Sequence, residues 1–297
     1  MFRILGKIVL GITLFILIER FCHRQTDGFL LSKMRLAFTS MPEHPLPSLS
    51  DDLSFIKKIL TQPLHYIGRG GQCYAFATQD DQYVVKILKY NNNYPKIWLT
   101  LFPFPSKCEL YRQKKLQEKQ RRLVEEYTSY RIAIEELPEE TGILYTHFYK
   151  QTLPNIDIHL EDKLHIIHKL HADDYQFYIQ RKGSPLYPGL HALIQQGNSS
   201  RVQDALRHLV LYFVKRCEKH ILDSDLGIWR NFAMQNNGMP FQIDIGQFSY
   251  DERLADKEER RKELLFFTWG LQEFLTQEDP ELVTYLRTCI EQETSAS

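Results

Sequence analysis

The chain has 297 residues, 43% of them hydrophobic, which is enough for one two-lobed domain or two small domains with a real core. Its 37 basic residues balance 37 acidic ones, so the composition offers no electrostatic footprint for a nucleic-acid partner. The 5 cysteines contain no C-x-x-C pair, and the pattern predicts neither a disulfide framework nor a zinc site.

The N-terminus is the most apolar part of the chain. Residues 4–18 read ILGKIVLGITLFILI, which is short for a membrane-spanning helix of about 20 residues. Arg3 and Lys7 also suit a signal peptide, but no small-x-small cleavage site precedes Arg20. A buried core helix is the alternative. We expect residues 1–22 to be an uncleaved membrane anchor, and the basic residues that follow favour a cytoplasmic soluble domain.

A linker and a glycine-containing strand pair come next. Residues 23–50 carry three closely spaced prolines and are expected to be a linker, after which a capping Asp precedes the helix LSFIKKIL. The segment 66–90 reads as strands around a glycine cluster, followed by the strand QYVVKIL. Lys86 lies among apolar residues of that strand. It is either a solvent-facing lysine of an alternating strand or a functional lysine that needs a partner.

The middle of the chain predicts an insertion, a long helix and several strands. Residues 91–112 are expected to be an irregular insertion, and the helix is expected over 109–136, where Glu126 lies beside the apolar stripe. Strand-like segments follow between Gly142 and Arg181. Their histidines alternate with apolar residues, so we interpret them as strand-face residues and not as metal ligands.

The last third is mainly helical apart from one hairpin. A short helix over 188–196 and a long helix over 201–222 precede the hairpin, and two or three helices are predicted between Arg253 and Glu293. The hairpin consists of NFAMQ and PFQID around an Asn-Asn-Gly turn. It places Asn231 and Asp244 at the same end of a small sheet, where their oxygens can share a divalent metal ion.

The order of these motifs resembles the protein-kinase-like superfamily over about residues 60–293. In the first half, Gly68 and Gly70 resemble the glycine-rich phosphate loop, and Lys86 resembles the strand lysine that holds the phosphates. Glu126 is then the helix partner of that lysine, with Glu118 and Glu125 as alternatives. Gln180 opens the segment that resembles the adenine-binding hinge.

In the second half, Asp225 resembles the catalytic aspartate. Asn231 resembles the metal-binding asparagine, and Asp244 resembles the metal-binding aspartate of an Asp-x-Gly motif. Asp225 precedes Asn231 by one residue more than is usual in the family, and Asp223 is a rival for its role. Cys73 stands where the family has a third loop glycine.

The resemblance implies an α+β, two-lobed protein-kinase-like fold, with a small β-rich N-lobe, a reduced helical C-lobe and an N-terminal membrane segment. The N-lobe-like part is expected over 51–182 and the C-lobe-like part over 183–293. Only a short chain follows Gly246, and it contains no recognisable activation segment. In this respect the sequence resembles the reduced or atypical members of the superfamily.

The implied function is transfer of the ATP γ-phosphoryl group to a hydroxyl acceptor, with Mg²⁺, by a membrane-anchored enzyme. The altered glycine loop and the irregular spacing before Asn231 favour an alternative, a pseudokinase that acts as a membrane-associated nucleotide-binding or scaffolding module. A membrane adaptor that binds no nucleotide is a third hypothesis.

Overall fold

The chain folds as a mixed α+β protein, and its computed structural model describes residues 2–34, 52–89, 106–148, 153 and 156–296. Contacts divide it into two compact units. Among the described residues, the first unit comprises 2–34, 52–89, 147–148, 153 and 156–178, and the second comprises 106–146 and 179–296. The predicted division into N-lobe-like and C-lobe-like parts stays a prediction.

The helices are numbered here in chain order. They are α1 (Phe2–Thr26), α2 (Leu53–Leu60), α3 (Ser106–Glu135), α4 (Pro138–Thr141), α5 (Leu186–Gln195), α6 (Ser199–Glu218), α7 (Ile228–Asn231), α8 (Lys257–Phe267), α9 (Trp269–Glu278) and α10 (Pro280–Ala296). Short 3₁₀ turns lie at Leu31–Lys33, Ala172–Asp174 and Glu252–Ala255.

The strands are numbered in the same way. They are β1 (Leu64–Arg69), β2 (Cys73–Thr78), β3 (Tyr83–Leu88), β4 (Ile143–His147), β5 (Asp157–Glu161), β6 (Ile167–His171), β7 (Phe177–Arg181), β8 (Ser184–Pro185), β9 (Ile221–Asp223), β10 (Phe232–Met234), β11 (Pro240–Gln242) and β12 (Phe248–Tyr250).

A seven-stranded sheet has the order β4-β7-β3-β2-β1-β5-β6. Strands β1, β2 and β3 form an antiparallel meander, and β1 pairs with β5 in parallel. A bulge between Tyr66 and Gly68 shifts the register of β1 against β2. Bulges bend a strand locally, so this one changes the direction of the chain at the start of the glycine cluster.

Two smaller sheets lie in the second unit, with the orders β11-β10-β8 and β12-β9. The predicted hairpin is confirmed as β10 and β11, with Phe232 opposite Gln242. Gly238 has a φ of 88°, a left-handed conformation that glycine adopts without the steric cost of a side chain.

The core of the second unit forms around α6. Val202, Leu206, Leu209, Val210 and Phe213 of this helix are buried at helical spacing. Apolar residues of α8, α9 and α10 are also buried, which gives the unit one contiguous helical core. The helix ends at Glu218, before the predicted end at residue 222, because residues 221–223 form β9.

Helix α1 carries apolar side chains that are largely exposed, such as Phe15 at 71% and Leu10 at 69%. Within the described part of the chain, no helix has both the length and the apolar character needed to cross a membrane. The predicted membrane-spanning segment therefore has no support from the structure. The helix ends where Asp27 and Gly28 adopt left-handed backbone conformations, with φ of 51° and 65°.

Two predicted irregular regions fall mostly outside the described residues. Of the predicted linker, residues 23–26 belong to α1 and 35–50 are not described. Of the predicted insertion, residues 91–105 are not described, while residues from Ser106 onward belong to α3.

Candidate functional site

Asn231 is the centre of the polar cluster in the second unit. It is the last residue of α7 and is 1% exposed. Its side-chain Nδ2 donates a hydrogen bond to the backbone oxygen of Asp225, at 3.2 Å. Its Oδ1 is buried and has no hydrogen-bond partner among the described residues. A buried, unpaired carbonyl-type oxygen is destabilising unless something else binds it, and a hard cation is one such partner.

Asp244 lies beside Asn231 because the two backbones are hydrogen-bonded. The Asn231 carbonyl accepts bonds from the N–H groups of Ile243, at 2.7 Å, and Asp244, at 3.4 Å. The Asp244 carboxylate is exposed, and its Oδ1 accepts a bond from the N–H of Gly246 at 3.3 Å. The Asp-x-Gly segment is thus a tight turn that presents a carboxylate next to the asparagine.

Asp225 is half-buried and ion-paired with Arg230. Nη2 of Arg230 lies 2.7 Å and 3.0 Å from the two carboxylate oxygens, and the N–H of Gly227 donates to Oδ1 at 3.0 Å. Burial alone would raise the pKa of Asp225, but the bonds from Arg230 and Gly227 outweigh it and hold the pKa below its usual value. Asp225 is therefore an ionised, oriented carboxylate.

Asp223, the rival for the role of Asp225, is buried with 2% exposure. Its Oδ1 accepts a bond from the N–H of Asp225, at 3.0 Å, and its Oδ2 accepts one from Nε2 of Gln242, at 2.6 Å. Burial raises the pKa of this carboxyl group, and the guanidinium of Arg216 opposes that rise. The Asp223 carboxylate is fully engaged inside the unit, so it faces other protein groups and not a substrate.

Helix α3 contributes two buried polar residues. Oγ of Ser129 donates to the carbonyl of Ile245 and accepts a bond from the N–H of Phe248, at 2.7 Å. These bonds fix the chain that follows Asp244. Glu126 is 8% exposed, and Oε1 accepts a bond from the Tyr130 hydroxyl at 2.7 Å. Burial raises the pKa of Glu126 to about 7 even though that hydrogen bond lowers it.

Lys86 belongs to the first unit and lies in β3. Its backbone pairs with Ala75, its side chain is half-buried, and Nζ lies 5.5 Å from the ring centre of Tyr178. The cation–π contact is a favourable environment for the charge. Glu126 belongs to the second unit, so its predicted pairing with Lys86 stays a prediction.

The glycine cluster between β1 and β2 forms a tight turn. The N–H of Gly70 donates to the carbonyl of Cys73 at 3.0 Å, and a Cβ added to Gly68 would meet nothing within 4 Å. Nζ of Lys89 donates to the Gly70 carbonyl at 2.6 Å and lies 4.2 Å from the ring centre of Tyr74. Burial lowers the pKa of Lys89 to about 8. Lys89 therefore supports this turn, a role that its position after the strand did not indicate.

Gln180 lies in β7, and its side chain points into the second unit. Nε2 donates to the carbonyls of Thr141 and Gln242, at 2.5 Å and 3.2 Å. Nε2 of Gln180 is thus engaged by protein carbonyls, and the predicted adenine contact stays a prediction. A Cβ on the nearby Gly183 would lie 2.6 Å from the Met234 carbonyl, so this position requires glycine for close backbone approach.

The structure thus brings Asp225, Asn231 and Asp244 together in the second unit, while Gly68, Gly70 and Lys86 lie in the first. The arrangement suits a cation shared between one amide oxygen, one carboxylate and a ligand's own oxygens. In the stretches of chain that are described, no group of three or more His, Cys, Asp or Glu side chains is arranged to hold a metal by itself. A site of this kind needs the oxygens of a bound ligand to complete it.

Three residues of this cluster were not predicted from the sequence: Arg216, Arg230 and Gln242. For Arg216 a signal exists, because it lies three residues after Phe213 on the buried face of α6, where helical spacing calls for an apolar residue. Gln242 likewise interrupts an apolar strand. Arg230 carries no comparable signal, because exposed arginines are common on helices.

Comparison with known proteins identifies no family for the chain. No family model and no curated protein matches it. A solved structure of WbdD matches with a TM-score of 0.37 and 12% identity, over 78% of this chain and 45% of that one. The complex of Rv3197 with erythromycin, from Mycobacterium tuberculosis, matches with a TM-score of 0.32 and 14% identity, over 77% and 61%. The chain spans less than two thirds of either protein, and both TM-scores are too low to establish a shared fold.

Proposed function

We propose that the chain is a kinase-like phosphotransferase that moves the γ-phosphoryl group of ATP to a hydroxyl acceptor with Mg²⁺. The single observation that carries the proposal is the buried Asn231 side chain. Its Nδ2 is tied to Asp225, its backbone carbonyl is tied to Asp244, and its Oδ1 has no partner among the described residues. These contacts hold Asp225, Asn231 and Asp244 next to one another in the second unit, which supports a shared site for a metal ion and an acceptor.

Each residue of that site has a proposed role. Asn231 and Asp244 would hold Mg²⁺ together with phosphate oxygens. When bound, Mg²⁺ would neutralise the negative charge of the phosphate groups during transfer. Asp225 would accept a hydrogen bond from the acceptor hydroxyl and orient it for attack, with Arg230 keeping the carboxylate ionised. Positioning and charge neutralisation contribute most of the catalysis in such a site.

The first unit would bind the nucleotide. Lys86 would hold the phosphates, Gly68 and Gly70 would let the backbone approach them, and backbone groups near Gln180 would contact adenine. The pairing of Glu126 with Lys86 that the resemblance implies stays a prediction. We also propose that α1 attaches the protein to a membrane, with the remainder on the cytoplasmic side where ATP is available.

The test is Mg²⁺-dependent ATP turnover by the purified full-length chain, followed as ADP release with and without membrane lipid extract as a source of acceptors. We expect Asp244→Asn and Asp225→Asn each to lower the turnover rate by about 100-fold or more, because each removes a charge aimed at the reacting groups. Lys86→Met should raise the KM for ATP as well.

Asp204→Asn is the matched control, because Asp204 is an exposed aspartate on α6 outside the polar cluster. Its turnover should equal that of the wild-type chain. If wild-type turnover persists in Asp244→Asn, or disappears in Asp204→Asn to the same extent, the assignment of the metal site is wrong.

The second candidate function, a pseudokinase module, is favoured by one contact. Arg230 engages both oxygens of Asp225, which leaves the carboxylate less available to an acceptor. In that case Mg²⁺–ATP should raise the melting temperature of the chain, since any ligand specific for the folded state stabilises it, while no turnover is detected. A chain whose melting temperature responds to neither nucleotide nor Mg²⁺ would be the nucleotide-free adaptor.

A further inference from the structure

A buried ion pair lies next to the candidate site in the second unit. Arg216 is 0% exposed, and its Nη1 lies 3.8 Å from Oδ2 of Asp223. Its guanidinium carbon lies 4.4 Å from the ring centre of Phe267 and 5.4 Å from that of Phe213. Within the described ranges, none of its three side-chain nitrogens has a hydrogen-bond partner. The groups that act on its charge there include the carboxyl groups of Asp223 and Glu263, the Tyr212 hydroxyl and the faces of aromatic rings.

Two side chains connect this ion pair to the acidic residues of the site. Asp223 accepts the N–H of Asp225 at 3.0 Å and Nε2 of Gln242 at 2.6 Å. The same Nε2 donates to the backbone carbonyl of Asp244 at 2.9 Å. The Tyr212 hydroxyl donates to Oε1 of Gln242, which fixes the orientation of the amide. One continuous set of bonds therefore runs from Asp225 through Asp223 and Gln242 to Asp244.

Stability alone does not account for an arginine at this position. Burying an ion pair is expensive in desolvation, and replacing such a pair by apolar residues of similar volume is often neutral or stabilising. Position 216 lies on the apolar face of α6, where a methionine or leucine would complete the core. An ion pair retained there points to a requirement for the Asp223 carboxyl group, whose two oxygens accept the N–H of Asp225 and Nε2 of Gln242.

We propose that Arg216, Asp223 and Gln242 are positioning residues that set the spacing between Asp225 and Asp244. The Arg216 guanidinium faces the Asp223 carboxyl group, and Asp223 and Gln242 hold the backbones of the two functional carboxylates. This inference rests on the proposed phosphotransferase function. It also assigns Asp223 a supporting role in place of the catalytic one.

The first test variant is Gln242→Met, which keeps the side-chain length and removes both donor bonds. We expect kcat to fall by about tenfold to 100-fold, because a small misplacement of reacting groups has effects of this size, while the KM for ATP stays within twofold. Amide hydrogen exchange should become faster in residues 223–246, and should stay unchanged in α10.

The second variant is the double substitution Arg216→Met with Asp223→Asn. Either single change would leave a buried charge unpaired, whereas the double change removes both members of the ion pair and should still fold, with the loss of the bond that Gln242 donates to Asp223. We expect kcat to fall in this variant as well. A drop in activity without a drop in stability is a result that a merely structural role of the pair does not produce.

Leu286→Ala is the control, because Leu286 is a fully buried core residue of α10 that takes no part in the polar network. It should lose stability and keep its kcat at temperatures well below unfolding. The proposal is overturned if Gln242→Met and the double variant retain wild-type kcat, or if Leu286→Ala loses kcat to the same extent.

Failure of the proposed function gives a different result. If the wild-type chain shows no turnover, hydrogen exchange alone tests the positioning role. Faster exchange confined to residues 223–246 in Gln242→Met would support the proposal that Gln242 holds the segments of Asp225 and Asp244. Unchanged exchange would refute that proposal.

Discussion

Glu126 is a buried carboxyl group whose ionisation opposes folding. The Tyr130 hydroxyl donates a hydrogen bond to it, and burial raises its pKa from 4.5 to about 7. Because the folded-state pKa lies above the unfolded one, its contribution to stability is fully present below about pH 4.5. That contribution is lost as the pH rises through about 7.

We therefore expect Glu126→Gln to stabilise the chain at high pH. The amide can still accept the Tyr130 hydroxyl and has no charge to desolvate, so the gain should approach about 3 kcal/mol at pH 8 and vanish near pH 4. Urea unfolding of both chains across this pH range measures it, with the exposed Glu125→Gln as the control. If Glu126 instead pairs with Lys86 as the resemblance predicts, Glu126→Gln will be less stable than the wild-type chain at pH 8.

Single residues were predictable from the sequence where their environment is local. The proximity of Asn231 and Asp244 was predictable because a hairpin with an Asn-Gly turn brings its ends together whatever surrounds it, while their role as metal ligands stays a prediction. The sequence could not show that Asp223 is buried among protein groups while Asp225 is partly exposed. That difference depends on the contacts of Asp223 with Gln242 and Arg216, which lie 19 and 7 positions from it along the chain. The apolar spacing of α6 signals that Arg216 is buried, but it does not indicate that Asp223 is its partner.

At the scale of elements, the end of α1 is fixed to the sheet of the first unit. Phe29 is 8% exposed and packs edge-on against Tyr66, Tyr74 and Phe76, with ring centres 5.1–6.3 Å apart. The Tyr74 hydroxyl donates to the Gly28 carbonyl at 2.7 Å. Arg69, which lies between the two loop glycines, donates to the carbonyl of Asp27 at 2.5 Å. The turn at residues 27–29 therefore belongs to the core of this unit.

Phe29→Ala should accordingly destabilise the first unit by about 3 kcal/mol, the usual effect of removing a buried phenylalanine side chain. Leu30→Ala is the matched control, because Leu30 is adjacent but 53% exposed, and it should change stability by less than about 0.5 kcal/mol. Denaturant unfolding followed by tyrosine fluorescence reports the difference. Equal effects of the two substitutions would show that the turn is not packed on the sheet.

Elements were predicted well where their periodicity is strong. The strand YVVKIL, the helix after the Asp52 cap and the buried stripe of α6 are confirmed as β3, α2 and α6. The predictions missed β8, β9 and β12, which contain two or three residues each. Strands this short carry no period, and they form only because partners distant in the sequence offer them hydrogen bonds.

At the scale of the whole molecule, the exposed apolar side chains favour membrane binding more than the net charge does. The net charge is +0, which gives the chain as a whole little attraction for an anionic membrane. Helix α1, in contrast, exposes a run of large apolar side chains that a monomeric protein normally covers. If the protein binds a membrane, we therefore expect the binding to come mainly from burial of this helix.

We expect the full-length chain to sediment with vesicles of neutral phosphatidylcholine, with little dependence on salt between 0.05 M and 0.5 M, roughly a threefold change in Debye length. A chain that begins at Cys22 keeps the 27–29 turn and should remain folded in circular dichroism, yet stay in the supernatant. Double substitution of Phe15 and Leu17 by Ser, residues that are 71% and 58% exposed, should weaken binding without truncation. Sedimentation of the shortened chain, or binding that appears only with anionic lipid and vanishes in salt, would assign attachment to another surface and remove α1 as the membrane-binding element.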